Sequence, residues 1–211
     1  MSVLEKMIKR NGPESTYPLV MALDLIFGGI DTTGNTLGFL LYHLAANPDK
    51  QEILRQECLD IGPYLREKDL NKMRYLKACI KETFRLTPTI SMLMRMLQED
   101  IQVQGYHIPK DTLAIWSTFI FQELFEDHDK FIPERWLGKS KEMSPYSVRL
   151  FSHGPRMCIG KRFAELELLV SVHKLMTNFE LKWANNEPLT ISQVLLNVPD
   201  QSLNFQFKDL N

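Results

Sequence analysis

The sequence predicts a mainly α fold with a small β portion, in a single domain. Long apolar stretches with helical spacing fill the first part of the chain. An alternating segment punctuated by glycine and proline follows at 95–116, and a further helical run lies near the C-terminal end. With 44% hydrophobic residues among 211 and a formal charge of -1, the chain can bury a core. No stretch is basic enough for a nucleic-acid footprint, and the mixed charge argues against disorder.

Residues 1–18 read as a lead-in and 19–211 as the domain. MSVLEKMIKRNGPES lacks an apolar signal core and mixes Glu5 and Glu14 with its basic residues, so it reads neither as a signal peptide nor as a transit peptide. Residues 19–47 are apolar all round, which suits a long helix buried in the middle of a domain. Asp24, Asp31, Asn35 and His43 interrupt it too often for a bilayer span. Pro48 opens the next helix with Asn47 as N-cap; Ile53, Leu54, Cys58 and Ile61 share a stripe, and Gly62 with Pro63 stops it. A third helix is predicted over 72–86, with Met73, Leu76, Ile80 and Phe84 at helical spacing. The segment 95–116 reads as short strands in hairpins turning at Gly105 and at Pro109 to Asp111. From Phe119 to Leu150 nothing is strongly periodic, and a structureless run of that length is usually functional or misassigned. Residues 160–177 form a last helix, amphipathic through Phe163, Leu166, Leu169, Val170 and His173, and a short β-like tail follows.

Cys58, Cys79 and Cys158 are widely spaced, so neither a disulfide framework nor a zinc site is written here. Cys158 lies in FSHGPRMCIG, at a turn beginning a helix, where N–H groups and the helix dipole favour a thiolate, and a thiolate is a metal ligand. Gly154 and Gly160 permit positive φ or the close approach of something flat and bulky. Arg156 offers charge-assisted bonds to an anionic group. A lone free cysteine buried in a loop is the plainer reading. Glu82 and Arg85 lie three apart on one helical face, where side chains meet, and Arg135 is placed to join them from the irregular run. An exposed helical ion pair is the alternative.

FxxGxRxCxG, filled by Phe151, Gly154, Arg156, Cys158 and Gly160, resembles the haem-binding signature of the cytochrome P450 family. KETFR, holding Glu82 and Arg85, is similar to the family's ExxR. PERW, holding Arg135, resembles the later element that supplies a second arginine, and GGIDTT at 28–33 resembles the oxygen-activation motif of its central helix. These occur in the family's order and span almost the whole chain. The resemblance implies the C-terminal part of the P450 fold, from the central helix (19–47) and ExxR helix (72–86) through the segment 131–160 to the haem-binding loop and following helix. It implies haem (iron protoporphyrin IX) as cofactor, with Cys158 as axial ligand of the iron. Phe151, Gly154, Arg156 and Gly160 contact the cofactor, and Arg95 reaches a propionate. The charged trio Glu82, Arg85 and Arg135 then locks the irregular run beneath the haem. Asp31 and Thr32 are the implied catalytic pair: Thr32 holds the oxygen and the protons that cleave it, Asp31 connects to solvent, and local widening of the helix leaves a groove for oxygen and water. A solvated acid beside a back-bonded threonine explains the same two residues. Gly28, Thr89, Ile90 and Met92 are expected to line the substrate site; the methionines of TISMLM suit an adaptable wall, and core filling explains them equally.

The reaction implied is monooxygenation, one oxygen atom of O2 entering a small apolar substrate such as a steroid, lipid or xenobiotic. Lys77 and Lys81, with Lys72 and Arg74 nearby, give a basic face suited to an acidic iron–sulfur ferredoxin; a solvated face is the bland reading. Together with GKRFAELE this face resembles arthropod mitochondrial members, which implies the matrix side of the mitochondrial inner membrane. The alternative is a flavoprotein reductase at the endoplasmic reticulum membrane. Leu150 stands where the family usually has proline. Family members carry an N-terminal half, including any membrane segment, that this chain does not match. The expectation is therefore a C-terminal fragment of a monooxygenase, with a truncated non-catalytic product or a helical protein-binding module as alternative.

Overall fold

The computed structural model describes residues 2–119, 122–138, 151–193 and 196–210. Segment 139–150, with Leu150 and part of the expected 131–160 connection, lies outside the described residues.

The lead-in contains a helix, α1 (Val3–Asn11), started by a capping box in which Ser2 and Glu5 bond each other's backbone N–H groups. Its signature, Ser2-x-x-Glu5, stands in the sequence. The central helix α2 (Tyr17–Ala46) runs 30 residues; apart from Pro18 in the first turn, its buried residues lie in the C-terminal half, Phe39, Leu40 and Leu44 among them. The expectation of a helix buried throughout is corrected: Leu19, Ile26, Phe27 and Ile30 are exposed, Phe27 by 72%. The helix as a whole meets α1, the other helices and the C-terminal strands, and most of the α2 residues that border a cavity lie in or next to its first half.

α3 (Pro48–Ile61) begins at Pro48 as expected. Asn47 is its N-cap residue without bonding through its side chain, which turns back to the His43 carbonyl at 2.8 Å. Leu54 and Cys58 are buried, but Ile53 is exposed, because the inward face carries Gln51 and Arg55. Gln51 bonds the Leu181 N–H and carbonyl (2.9 and 3.0 Å), and Arg55 donates to the carbonyls of Met176 and Phe179 (2.9 and 2.8 Å). Arg55 thus caps the end of α5 (Lys161–Asn178), and Gln51 fastens β5 (Phe179–Trp183), which follows it, to α3. α4 spans Arg74–Leu86, starting later than expected, and its first amides are capped from α3: the Glu57 carboxylate accepts from the N–H groups of Tyr75 and Leu76 at 2.7 and 2.9 Å.

β1 (Met92–Met96) pairs antiparallel with β4 (Leu113–Ser117), Met92 opposite Ser117 and Met96 opposite Leu113. Between them β2 (Ile101–Val103) and β3 (Tyr106–Ile108) form a hairpin whose two turn residues, Gln104 and Gly105, both have positive φ. In α5 the buried residues are Leu168, Leu169, Val172, His173 and Met176; Phe163, Leu166 and Val170, placed inward by the sequence reading, are exposed, since the true stripe starts one turn later. β5 pairs with β8 (Phe205–Asp209), and β6 (Ile191–Gln193) with β7 (Asn197–Pro199). Among the described residues no helix is long and apolar enough to cross a membrane. The mainly α class with small sheets matches the expectation.

Candidate functional site

A cavity of about 1130 Å³ lies between the first half of α2, the segment after α4 and the loop that leads into α5. That loop is tightly built. The Cys158 N–H donates to the Phe151 carbonyl at 2.9 Å, closing the turn, and the Met157 N–H donates to the Gly154 carbonyl at 3.0 Å. Gly154 has φ +75°, a conformation open to glycine and strained for a side chain. Gly160 is the N-terminal cap residue of α5, and a Cβ placed there would sit 3.8 Å from the Cys158 sulfur. The Phe151 ring meets Phe84 of α4 edge-on at 5.7 Å, with the Lys161 ammonium 5.8 Å from its centre, so the loop rests on the ExxR helix. Cys158 is exposed and lines the cavity, whereas Cys58 and Cys79 are buried thiols; burial pushes Cys58 up to about 12 and raises Cys79 as well.

Arg95 and Arg156 both border the cavity. Arg95 donates to the Ser152 hydroxyl at 3.2 Å, and Ser152 is a non-glycine residue at φ 62°, so loop and strand β1 are tied at a strained position.

Glu82, Arg85 and Arg135 come together. Glu82 is fully buried and accepts from Arg85 through both carboxylate oxygens (3.0 and 2.8 Å), from Arg135 Nε at 3.0 Å, from Trp136 Nε1 at 2.8 Å and from the Ile132 N–H at 2.9 Å. Arg85 also donates to the carbonyls of His128 and Lys130. Residues 126–136 of the run without periodicity are thus ordered by side-chain bonds instead of a ladder, which is why no period announced them. Trp136 was not among the expected partners; its place beside Arg135 in PERW was the available signal.

On α2, Gly28 and Thr32 line the cavity and Asp31 is solvent-exposed. The helix continues unbroken through residues 28–33, so the expected widening is absent; the Thr32 hydroxyl instead bonds the Gly28 carbonyl at 2.6 Å, keeping the turn closed. Thr89 and Ile90 line the cavity. Met92 does not: it is 48% exposed, and the cavity takes its neighbour Leu93, as strand alternation requires. Lys81 is exposed and stands 5.9 Å from the Trp136 ring centre, and Lys77 is half-buried. Lys72 bonds Asp69 at 2.9 Å; this bond and one from Arg66 hold that carboxylate at about 2, so part of the basic face is internally neutralised.

The residues present fit a haem. One exposed thiol suits a metal whose other ligands come from a prosthetic group, and among the described residues no cluster of three or more His, Cys, Asp or Glu side chains is placed to cage a bare ion. Two guanidinium groups answer two carboxylates, the loop glycines leave space, and the volume exceeds the roughly 300–1,000 Å³ of ordinary small-molecule pockets.

The chain is 35% identical over 221 residues to probable cytochrome P450 12d1 distal, mitochondrial, of Drosophila melanogaster, covering 99% of this chain and 42% of that protein. Probable cytochrome P450 12a5, mitochondrial, of the same organism is 35% identical over 228 residues, with 99% and 42% covered. The 1,25-dihydroxyvitamin D(3) 24-hydroxylase, mitochondrial, of Rattus norvegicus is 36% identical over 198 residues, with 91% and 38% covered. The chain therefore spans less than half the length of these relatives. The family model for cytochrome P450 matches residues 4–207, nearly end to end, and with a cysteine loop, a buried ExxR cluster and a central helix facing one cavity, the chain belongs to the cytochrome P450 family.

Proposed function

We propose that this chain forms the haem-thiolate portion of a monooxygenase acting on a small apolar substrate, steroid, lipid or xenobiotic in class. The observation that carries the reading is the exposed Cys158 thiol opening onto the same cavity as Thr32, Arg95 and Arg156. Haem bound through a cysteine thiolate supplies reductive activation of O2, with sulfur donation favouring O–O cleavage.

The chain's own residues perform the rest. Cys158 would hold the group by its sulfur, and Arg95 and Arg156 would bind its carboxylates. Phe151, packed on Phe84, anchors the cysteine loop to α4. Glu82, Arg85 and Arg135 keep the connection beneath in place. Thr32 gives up its bond to the Gly28 carbonyl and turns its hydroxyl to the cavity, where it donates a proton; Asp31, on the solvent side of the same turn, resupplies it. Gly28, Thr89, Ile90 and Leu93 present an apolar wall to substrate. Lys77 and Lys81 offer a positive face for an acidic ferredoxin, and a mitochondrial location agrees with the names of the relatives.

The test is the absorption spectrum of the ferrous–CO form after haem is added, on this chain and on any longer form that contains it. A strongly red-shifted Soret band that Cys158→Ser removes supports the assignment. A band that survives Cys158→Ser overturns it. A band from the longer form alone assigns this chain the role of an inactive portion.

A further inference from the structure

The strip Pro88–Ser91, which lines the cavity through Pro88, Thr89 and Ile90, belongs to no helix or strand, yet each of its four carbonyls is held from outside. Asn197, fully buried in β7, donates its side-chain amide to the Pro88 carbonyl and its backbone N–H to the Thr89 carbonyl at 2.8 Å. Thr118 shares its one hydroxyl proton between the Ile90 and Ser91 carbonyls at 2.8 and 3.0 Å, and donates its N–H to the Ser91 carbonyl at 3.0 Å. From the opposite side the Thr89 hydroxyl lies 2.7 Å from that of Thr36, and both residues are buried.

The proton directions in this pair are determined. Thr36 has one hydroxyl proton and gives it to the Thr32 carbonyl at 2.7 Å. Thr89 must therefore donate to Thr36. A single line of hydrogen bonds runs from β7 through the Thr89 peptide and side chain to Thr36 and on to the backbone of Thr32, whose own hydroxyl bonds Gly28 one turn earlier. Three segments far apart in the chain are fixed in mutual register at the cavity, although Thr36 lies outside GGIDTT.

We propose that Thr36 is a positioning residue that registers the Pro88–Ser91 wall against the central helix, and so sets which sizes of apolar ligand fit between Ile90 and Thr32. The proposal rests on the reading of this cavity as a haem and substrate chamber. A hydroxyl at Thr36 is needed, since a methyl of the same size leaves the Thr89 donor buried without an acceptor.

The test compares Thr36→Val, which keeps shape and loses the hydroxyl, with Thr36→Ser, which keeps the hydroxyl. Amide hydrogen exchange on the unmodified full chain and both variants reads the wall directly. The amides of Asn197 and Thr118 are bonded to wall carbonyls, while that of Leu181, bonded to Gln51, serves as a distant reference. Thr36→Val is expected to speed exchange at Asn197 and Thr118 by about fivefold or more, the scale of one buried hydrogen bond, with Leu181 unchanged. Thr36→Ser restores the slow rates, and Thr89→Val, which breaks the same bond from its other end, reproduces the fast ones. Equal acceleration at all three amides, or none at the wall, overturns the proposal.

The selectivity role is read in the haem-loaded protein by the Soret shifts of imidazole and 4-phenylimidazole, which bring the same nitrogen with and without a bulky ring. A ratio of their dissociation constants that changes severalfold in Thr36→Val and returns in Thr36→Ser supports it, and a constant ratio overturns it. If neither azole shifts the band, the haem reading fails and the chamber role falls with it, while the exchange result independently decides the register.

Discussion

Glu82 and Arg135, 53 residues apart, meet at 3.0 Å in a site where the carboxylate is fully buried, and this contact fastens the PERW turn to α4. The same carboxylate neutralises Arg85, which is itself 1% exposed through its side chain. Glu82→Gln preserves shape but leaves two guanidinium groups facing a neutral amide. Removing one partner of a buried ion pair costs about 3–5 kcal/mol. Urea denaturation should show that loss as a lower midpoint at unchanged slope, and a loss below about 1 kcal/mol would mean that the cluster is screened by water.

The two signature glycines of the cysteine loop serve different ends. At Gly154 an added Cβ meets nothing within 4 Å, so the cost of Gly154→Ala is conformational, about 1–2 kcal/mol for a side chain at φ +75°. At Gly160 the backbone is ordinary, φ -81°, and the added methyl rests 3.8 Å from the Cys158 sulfur. Gly160→Ala is expected to leave stability within about 0.5 kcal/mol, since the methyl makes an ordinary van der Waals contact with the sulfur, while weakening haem binding by occupying space beside the ligand. Thermal unfolding without haem, set beside haem titration, separates the two. Equal behaviour of the two variants in both measurements would refute the distinction.

His43 is a buried neutral base. Its ring lies flat against Phe131 at 5.0 Å, and its Nε2 donates to the Thr87 hydroxyl at 3.1 Å, since Thr87 gives its own proton to the Thr83 carbonyl. Burial, aided by the nearby Arg85 charge, lowers its pKa from 6.5 to about 3. The unfolded chain thus takes up a proton that the folded one refuses. Stability is full above pH 6.5 and falls as pH drops toward 3, by up to about 1.4 kcal/mol per pH unit. His43→Phe removes this dependence, so the stability difference between parent and variant should narrow or reverse on going from pH 7 to pH 5. A difference independent of pH would show that His43 is protonated in place.

Much of this was legible in the sequence because it was periodic or tied to a motif. The long central helix, the Pro48 start of α3 and the strands read over 95–116 follow from apolar spacing and from glycine and proline positions, although β1 begins three residues earlier, at Met92. What was misread shares one cause: a side chain's surroundings are set by elements distant in the chain. Ile53 is displaced from the interior by Gln51 and Arg55, which reach inward to partners beyond residue 175. The first half of α2 is as apolar as the second, so composition could not tell the exposed half from the buried one. Met92 and Leu93 differ only in strand phase, which depends on where β1 begins. Thr36 was passed over because a threonine on a helix carries no signal until its partner Thr89 is known.

Thr32 offers a separation of stability from chemistry. Its hydroxyl bonds the Gly28 carbonyl one turn back, an arrangement that adds little to a helix already hydrogen-bonded there. Alanine is the better helix former by about half a kcal/mol, so Thr32→Ala should leave unfolding unchanged or slightly harder. In a longer, haem-loaded form supplied with an electron donor, the proposed proton delivery through Thr32 predicts a different response. Oxygen uptake continues, product per oxygen falls, and peroxide rises; Thr32→Ser, which keeps the proton, retains the coupling. Measuring oxygen consumed, product formed and peroxide released in the same reaction decides it. Full coupling in Thr32→Ala would leave the hydroxyl a structural bond to Gly28 and move proton delivery to another group on the cavity wall.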